Sequence, residues 1–421
     1  MSTAFLSSAV MTHPVREEQA AALAARLGLG GLALDPDPDG PPSALRTALV
    51  AWAARAEGAG HHLVVQDDVA APPELLELVA GSVARFPDEA LIFYTNWHAR
   101  NGAAARLAAL AGAGWVRAVP EEFAPTLAIC LPVRTADAFR TFAAETAERH
   151  DDEVMAAFLR AEGRSGLLAV PSVVEHIGTS SINGHAEQGI RLAVCPVGAA
   201  EARPLLERGW VLEELDWLPY MRYGEGYLRP VGHEHDADPR RHLRWTEALP
   251  DTGLTEGQVW DVVRRHRSEE AAAAVGRLFG AAFADELWVH CLLLGRQAED
   301  AARRHAAQRA AAGPAGEAGA RVRAAALSTV GPAGLPPERR PEVIPEHAAL
   351  MAAYAEGAVA CGGLLLEPAA RARRNRSRRT PQPAAWPAPP PGWKPVTDLH
   401  YGLHTYAQWL AYEGIHLALE I

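Results

Sequence analysis

The sequence predicts an α/β protein: a mostly parallel sheet domain over residues 1–200, followed by a largely α-helical part over 201–370. Two observations predict it. Through the first 200 residues, short apolar runs of strand length alternate with amphipathic stretches of helical period, the mark of βαβ units. Beyond residue 200 one helical pattern follows another, as in "TEGQVWDVVRRHRSEEAAAAVGRLFGAAFADELWVHCLLLGRQAED" and "PEHAALMAAYAEGAVACGGLL".

Taken in order, "AFLSSAVM" reads as a buried strand, and "REEQAAALAARLG" as a helix that stops at glycine. "GLALDP" is a short strand entering the turn-rich "DPDPDGPPS". "ALRTALVAWAARAEG" is a second helix, and "HHLVVQ" a third strand. After the adjacent Asp67 and Asp68, proline introduces the helix "PELLELVAGSVARF", and "ALIFYTNW" is the next strand. In such a sheet the loops after the strands gather at the carboxyl ends, where open α/β sheets bind ligands. Asp67 and Asp68 stand on one of those loops. Further on, "HDDEVMAAFLRAEG" opens a helix with Asp151, Asp152 and Glu153, and "LLAVPSVVEHIGTSSINGH" is a strand leading into a polar loop. Residues 371–396 form a basic, proline-rich linker, and 397–421 are apolar enough to dock back onto the fold.

The totals narrow the class. A chain of 421 residues accommodates two domains of ordinary size. A net charge of −11 argues against nucleic acid or an anionic membrane as partner. Lys394 is the only lysine, and with the alanine excess this reflects a GC-rich bacterial coding bias. The four cysteines lie far apart with no CxxC pair, which predicts a reducing cytoplasm rather than a disulfide framework. The opening residues lack a basic and then apolar leader pattern, and no apolar run reaches about 18 residues. A cytoplasmic chain without a membrane span is expected.

Two like charges at the end of a buried strand repel, so a cation or a solvated turn must accommodate them. A hard divalent cation that bridges carboxylate and diphosphate oxygens stabilises a departing diphosphate. The other reading is a turn, or a cap for the helix that starts at the following prolines. "AVMTHPVR" sets Thr12, His13 and Arg16 on the loop after the first strand, where backbone amides and an arginine can meet a nucleotide. Asp35, ending the second strand, is a nucleoside contact or the start of a turn. Asp151, Asp152 and Glu153 carry chemistry or complement the helix dipole. His176, in the polar loop after the later strand, reads as a functional residue or a satisfied core histidine.

"HHLVVQDDV" resembles the strand-plus-acid motif that ends in Glu-Asp-Asp in lipopolysaccharide-type glycosyltransferases. "VPSVVEHIGTSS" resembles the Pro-Ser-Leu-x-x-His-x-Gly-x-x-Ser segment of such enzymes and of the glycan-branching N-acetylglucosaminyltransferases. The resemblance covers roughly residues 4–190, with the motifs in the family's order. It implies a GT-A (Rossmann-like) fold and an inverting glycosyltransferase of hexosyltransferase type. The implied donor is a nucleotide-diphosphate sugar, a UDP-sugar foremost, with Mn²⁺ or Mg²⁺. The implied acceptor is a hydroxyl or amine of a small molecule or peptide, in bacterial secondary metabolism or glycoconjugate synthesis. Asp68 matches the acid that binds the cation and the diphosphate, and His176 the late histidine, a metal ligand or a hydrogen-bond partner of the diphosphate, with Asp67 beside them on ribose or sugar. Thr12, His13, Arg16 and Asp35 fall on the nucleotide side. Asp152 matches the catalytic base, with Asp151 its neighbour. Gln66 stands where the family has an acid, which weakens the expected metal site. A sugar nucleotidyltransferase or a non-catalytic nucleotide-binding interaction protein remain as alternatives.

The C-terminal part would shape the acceptor site or form a homodimer. "VGHEHDADPRRH" reads as a solvated loop or part of an acceptor pocket, and less well as a zinc site, since no partner ligands stand at a recognised spacing. The arginines from Arg371 to Arg379 read as a solvated linker. Trp217, in the aromatic stretch "ELDWLPYMRYGEGYLRP", is an acceptor-side candidate.

Overall fold

The computed structural model describes residues 5–120, 122–177, 191–231 and 243–366. From β1 (Leu6–Thr12), α1 (Glu17–Leu27) leads to β2 (Gly31–Leu34), and α2 (Ala44–Ala53) to β3 (His61–Gln66). The two-residue β4 (Val69–Ala70) precedes α3 (Leu75–Arg85) and β5 (Leu91–Ile92). Then come α4 (Arg100–Ala111), β6 (Trp115–Arg117), β7 (Ala128–Pro132), α5 (Val133–Ala143) and α6 (Asp151–Ala161). β8 (Leu167–Ala169), β9 (Glu175–His176), α7 (Ala199–Arg208) and β10 (Val211–Leu212) complete this unit.

Eight strands form one sheet in the order β10-β6-β8-β5-β7-β3-β1-β2. It is mostly parallel: β1–β2, β1–β3, β5–β8 and β6–β10 pair in parallel, and β7 and the β6–β8 contact supply the antiparallel pairs. Alternation builds two cores. Val10 turns toward Leu23 and Leu27 of α1, while Ala9 and Met11 turn toward Leu45, Ala48 and Trp52 of α2. Because both faces are covered, β3 is buried from His61 to Val65, with no polar alternation after its two buried histidines. α1 stops at Gly28, whose φ of 65° suits glycine.

The second unit opens with a hairpin, β11 (Trp217–Arg222) and β12 (Glu225–Pro230), turned by Tyr223 and Gly224 at φ 54° and 83°. The helices α8 (Trp245–Ala248), α9 (Glu256–His266), α10 (Glu269–Phe279), α11 (Ala281–Arg304), α12 (Ala306–Ala312), α13 (Gly316–Gly334) and α14 (Pro345–Ala360) follow. Leu287, Trp288, Cys291 and Leu292 of α11 centre the core of this unit. α4 joins the two units. It lies between the sheet and α11 and α13, and eleven of its twelve residues are buried. Its alanines let backbones approach from both sides.

Two expectations change. The boundary at residue 200 falls inside α7, whose Ala202 and Leu206 pack on the sheet, and β10 is that sheet's edge strand. "ALIFYTNW" pairs as a strand only at Leu91–Ile92; beyond it, Phe93 N–H donates singly to Ala128 O at 2.9 Å. Pro345–Leu365, interrupted by Glu356, is long and apolar enough to cross a membrane by length and composition alone. In the fold, its Met351, Tyr354, Ala355 and Ala358 are buried against neighbouring helices. The readings of residues 371–396, 397–421, the His233–His242 stretch and Thr179–His185 lie outside the described residues.

Candidate active site

Chain topology fixes where the site falls. The chain leaves β1 toward β2 on one side, and leaves β3 toward β5 on the other. Between two such strands the carboxyl ends diverge and open a crevice. Thr12, His13 and Arg16 enter it from the end of β1, Asp35 from β2, and Gln66, Asp67 and Asp68 from β3. Asp151, Asp152 and Glu153, at the start of α6, line the same cleft. Of the nine residues the resemblance matches to a site, all but His176 therefore line one cleft. The ninth, His176, lies directly behind Asp68.

The two acids divide their surroundings. Asp67 Oδ2 accepts from Thr12 Oγ1–H at 2.5 Å, and its Oδ1 lies 3.1 Å from Arg16 Nη1. Burial, helped by the charge of Asp68, raises its pKa despite Thr12 and Arg16. Asp68 Oδ2 lies 3.5 Å from the same Arg16 nitrogen and 3.4 Å from His176 Nε2. Burial works against ionisation here too, but His176, Arg16 and Arg191 outweigh it and leave the pKa lowered. Neighbouring acids pushed in opposite directions suit different tasks. The short ribbon of β4 and β9 holds Asp68 in place, pairing Val69 with His176, and Ile177 N–H donates to Asp68 O at 3.0 Å.

Asp35 lines the cleft with both oxygens engaged. Arg46 Nε–H donates to Oδ1 at 2.7 Å and Arg46 Nη2–H to Oδ2 at 2.8 Å, which lowers the pKa. It starts the turn at Asp37 and, through Arg46, stiffens the cleft wall. At the start of α6, burial and the charges of Asp151 and Glu153 push the Asp152 carboxyl well above its ordinary range. Asp151 is raised too by burial, and its hydrogen bond with Thr126 offsets part of that.

The sequence reading missed Tyr94, Asn96, Thr126, His150 and Arg191, which also line the cleft. Tyr94 O–H donates to Arg191 O at 2.7 Å, and Arg191 Nη2–H donates to His176 Nε2 at 2.9 Å. Asn96 follows β5, so the carboxyl-end rule that drew attention to Asp67 would have found it. Arg191 has no local signal. Trp217 and the rest of the β11–β12 hairpin pack against α4 and α11, away from the cleft lining among the described residues.

One buried carboxylate oxygen, on Asp68, is open to a divalent cation shared with a phosphate. Among the described residues no group of three His, Cys, Asp or Glu side chains comes together. However, Asp68 Oδ1 is buried and bonded to nothing among them, and His176 Nε2 lies beside its other oxygen. One or two protein ligands, completed by phosphate oxygens and water, are an ordinary arrangement for Mg²⁺. No family model matches the chain, and no curated protein does.

Proposed function

We propose that the chain is an inverting glycosyltransferase of the GT-A fold, acting on a nucleotide-diphosphate sugar and a hydroxyl or amine acceptor. The observation that carries this reading is the cleft itself. A loop after β1, an acid pair after β3 and a raised carboxyl at the start of α6 face one crevice at the carboxyl ends of the strands. Nucleotide and diphosphate belong on the Thr12–Arg16 and Asp67 side, and the acceptor beside Asp152. A UDP-sugar is the first donor to try.

The acceptor oxygen attacks the anomeric carbon as the carbon–oxygen bond to the diphosphate breaks. Asp152 takes the acceptor's proton, and a raised pKa brings a carboxylate closer to the strength that base catalysis needs at neutral pH. The charge left on the diphosphate is met by Arg16, which Asp67 and Asp68 hold in position. Asp68 would hold Mn²⁺ or Mg²⁺, joined by His176 once Nε2 gives up its bond from Arg191, and the ion supplies further positive charge to the leaving group when bound. Attack from the Asp152 side, opposite the diphosphate, inverts the anomeric centre.

A thermal-shift panel tests the reading with nucleotide sugars, nucleoside triphosphates and sugar phosphates, each with and without Mn²⁺. A donor at 100 times its Kd is expected to add about 2.7 kcal/mol of stability. Stabilisation by a triphosphate with turnover of a sugar phosphate would point instead to a nucleotidyltransferase. Silence across the panel would leave only an interaction protein.

A further inference from the structure

Arg106 is buried in the middle of α4, only 5% exposed, with no carboxylate beside it among the described residues. Its Nη2–H donates to Thr329 O at 3.1 Å and to Thr329 Oγ1 at 3.0 Å, both on α13. Its Nε is buried and has no hydrogen-bond partner among the described residues. The groups that act on its charge are the thiols of Cys195 and Cys291. These stay neutral: burial pushes Cys195 up to about 12, and Cys291 also upward. The guanidinium nevertheless stays protonated at neutral pH, since burial pulls it down only to about 10.

Beside Arg106 lies a cavity of about 10 Å³, bordered by His98, Tyr220, His290 and Val330. It sits where the sheet unit, through α4, meets α11, α13 and the hairpin. His290 is 4% exposed, and its Nδ1 also has no partner among the described residues. Burial, with the charge of Arg106, pulls its pKa to about 3, so the ring is neutral and has one N–H to give.

A buried guanidinium without a counter-charge is among the costlier things a fold can contain. A water molecule would satisfy the open donors but leave the charge. We propose that this cavity is an internal binding site for one small monovalent anion of the halide class, held by Arg106 and His290. The space is about that of one water molecule, so a halide, slightly larger, takes the place of a water with a small outward shift of the lining. Bound there, the ion ties α4 to α11 and α13 and stabilises the junction of the two units.

Bromide is the probe. Crystals of the full chain grown in sodium bromide should show an anomalous peak within about 3.5 Å of an Arg106 nitrogen or the His290 ring. An ordinary water there, without an anomalous signal, would overturn the proposal. In solution, replacing gluconate by saturating bromide at fixed ionic strength should raise the Tm by about 3 °C. Arg106→Met should lose that response; a variant that keeps it would overturn the assignment to Arg106. The bromide map uses the unmodified protein, so it decides the matter even if the variant fails to fold.

Discussion

Asp152 is under opposing demands. Burial and its acidic neighbours favour the protonated form, whereas a general base must be ionised when the acceptor arrives. A carboxyl with a higher pKa in the folded state binds more protons there than in the unfolded chain. Stability therefore falls as pH rises above the unfolded value of about 4, and stops falling above the folded value. Asp152→Asn is expected to lose transfer by about 10²–10⁴-fold with donor affinity unchanged. The same variant should melt above the wild type at pH 7, with the gain vanishing below about pH 4. A lower melting temperature at pH 7, or retained activity, would contradict the assignment. Asp151→Asn should be milder, and product NMR should show inversion. Arg16 lies within reach of both acids, so Arg16→Gln should raise the donor Kd about 10- to 100-fold in a calorimetric titration. Asp68→Asn should nearly abolish turnover while the fold persists. EDTA should lower turnover and Mn²⁺ restore it; turnover indifferent to EDTA would shift charge neutralisation to Arg16 and Arg191.

Among the elements, β3 and α4 show what a sequence can and cannot signal. β3 is covered on both faces and ends in two acids, so an apolar run followed by charge locates it without ambiguity. α4, "RNGAAARLAALA", is covered on every side and has no apolar stripe for periodicity to find. Its glycine is where a test can be placed. A Cβ on Gly102 would meet Asn96 O at 2.3 Å and Trp97 O at 3.0 Å, both backbone atoms. Gly102→Ala should cost about 1–3 kcal/mol and disturb the turn that carries Asn96 into the cleft. Gly81→Ala on the exposed face of α3, where nothing lies within 4 Å, is the control and should stabilise by up to about 1 kcal/mol. Urea melts of the two variants would separate these outcomes; equal stability would refute the crowding at Gly102.

Taken together, the two units share α4, and their stability should be shared as well. A chain truncated after residue 213 would expose the face of α4 that α11 and α13 cover, so it should aggregate or fail to fold. The full chain should unfold in one calorimetric transition; two separate transitions would contradict this. The cleft was legible because Thr12, Asp35 and Asp67 each end or follow a strand, and parallel strands bring their carboxyl ends together. Arg191 and Thr126 were not, since their approach depends on the tertiary path rather than on any local pattern. A crystal structure of the chain with a UDP-sugar and Mn²⁺ bears most directly on the glycosyltransferase reading. The diphosphate is expected against Arg16 and Asp68, with the nucleoside toward Thr12 and Asp35 and the anomeric carbon facing Asp152. Nucleotide bound elsewhere, or a sugar turned away from Asp152, would contradict it.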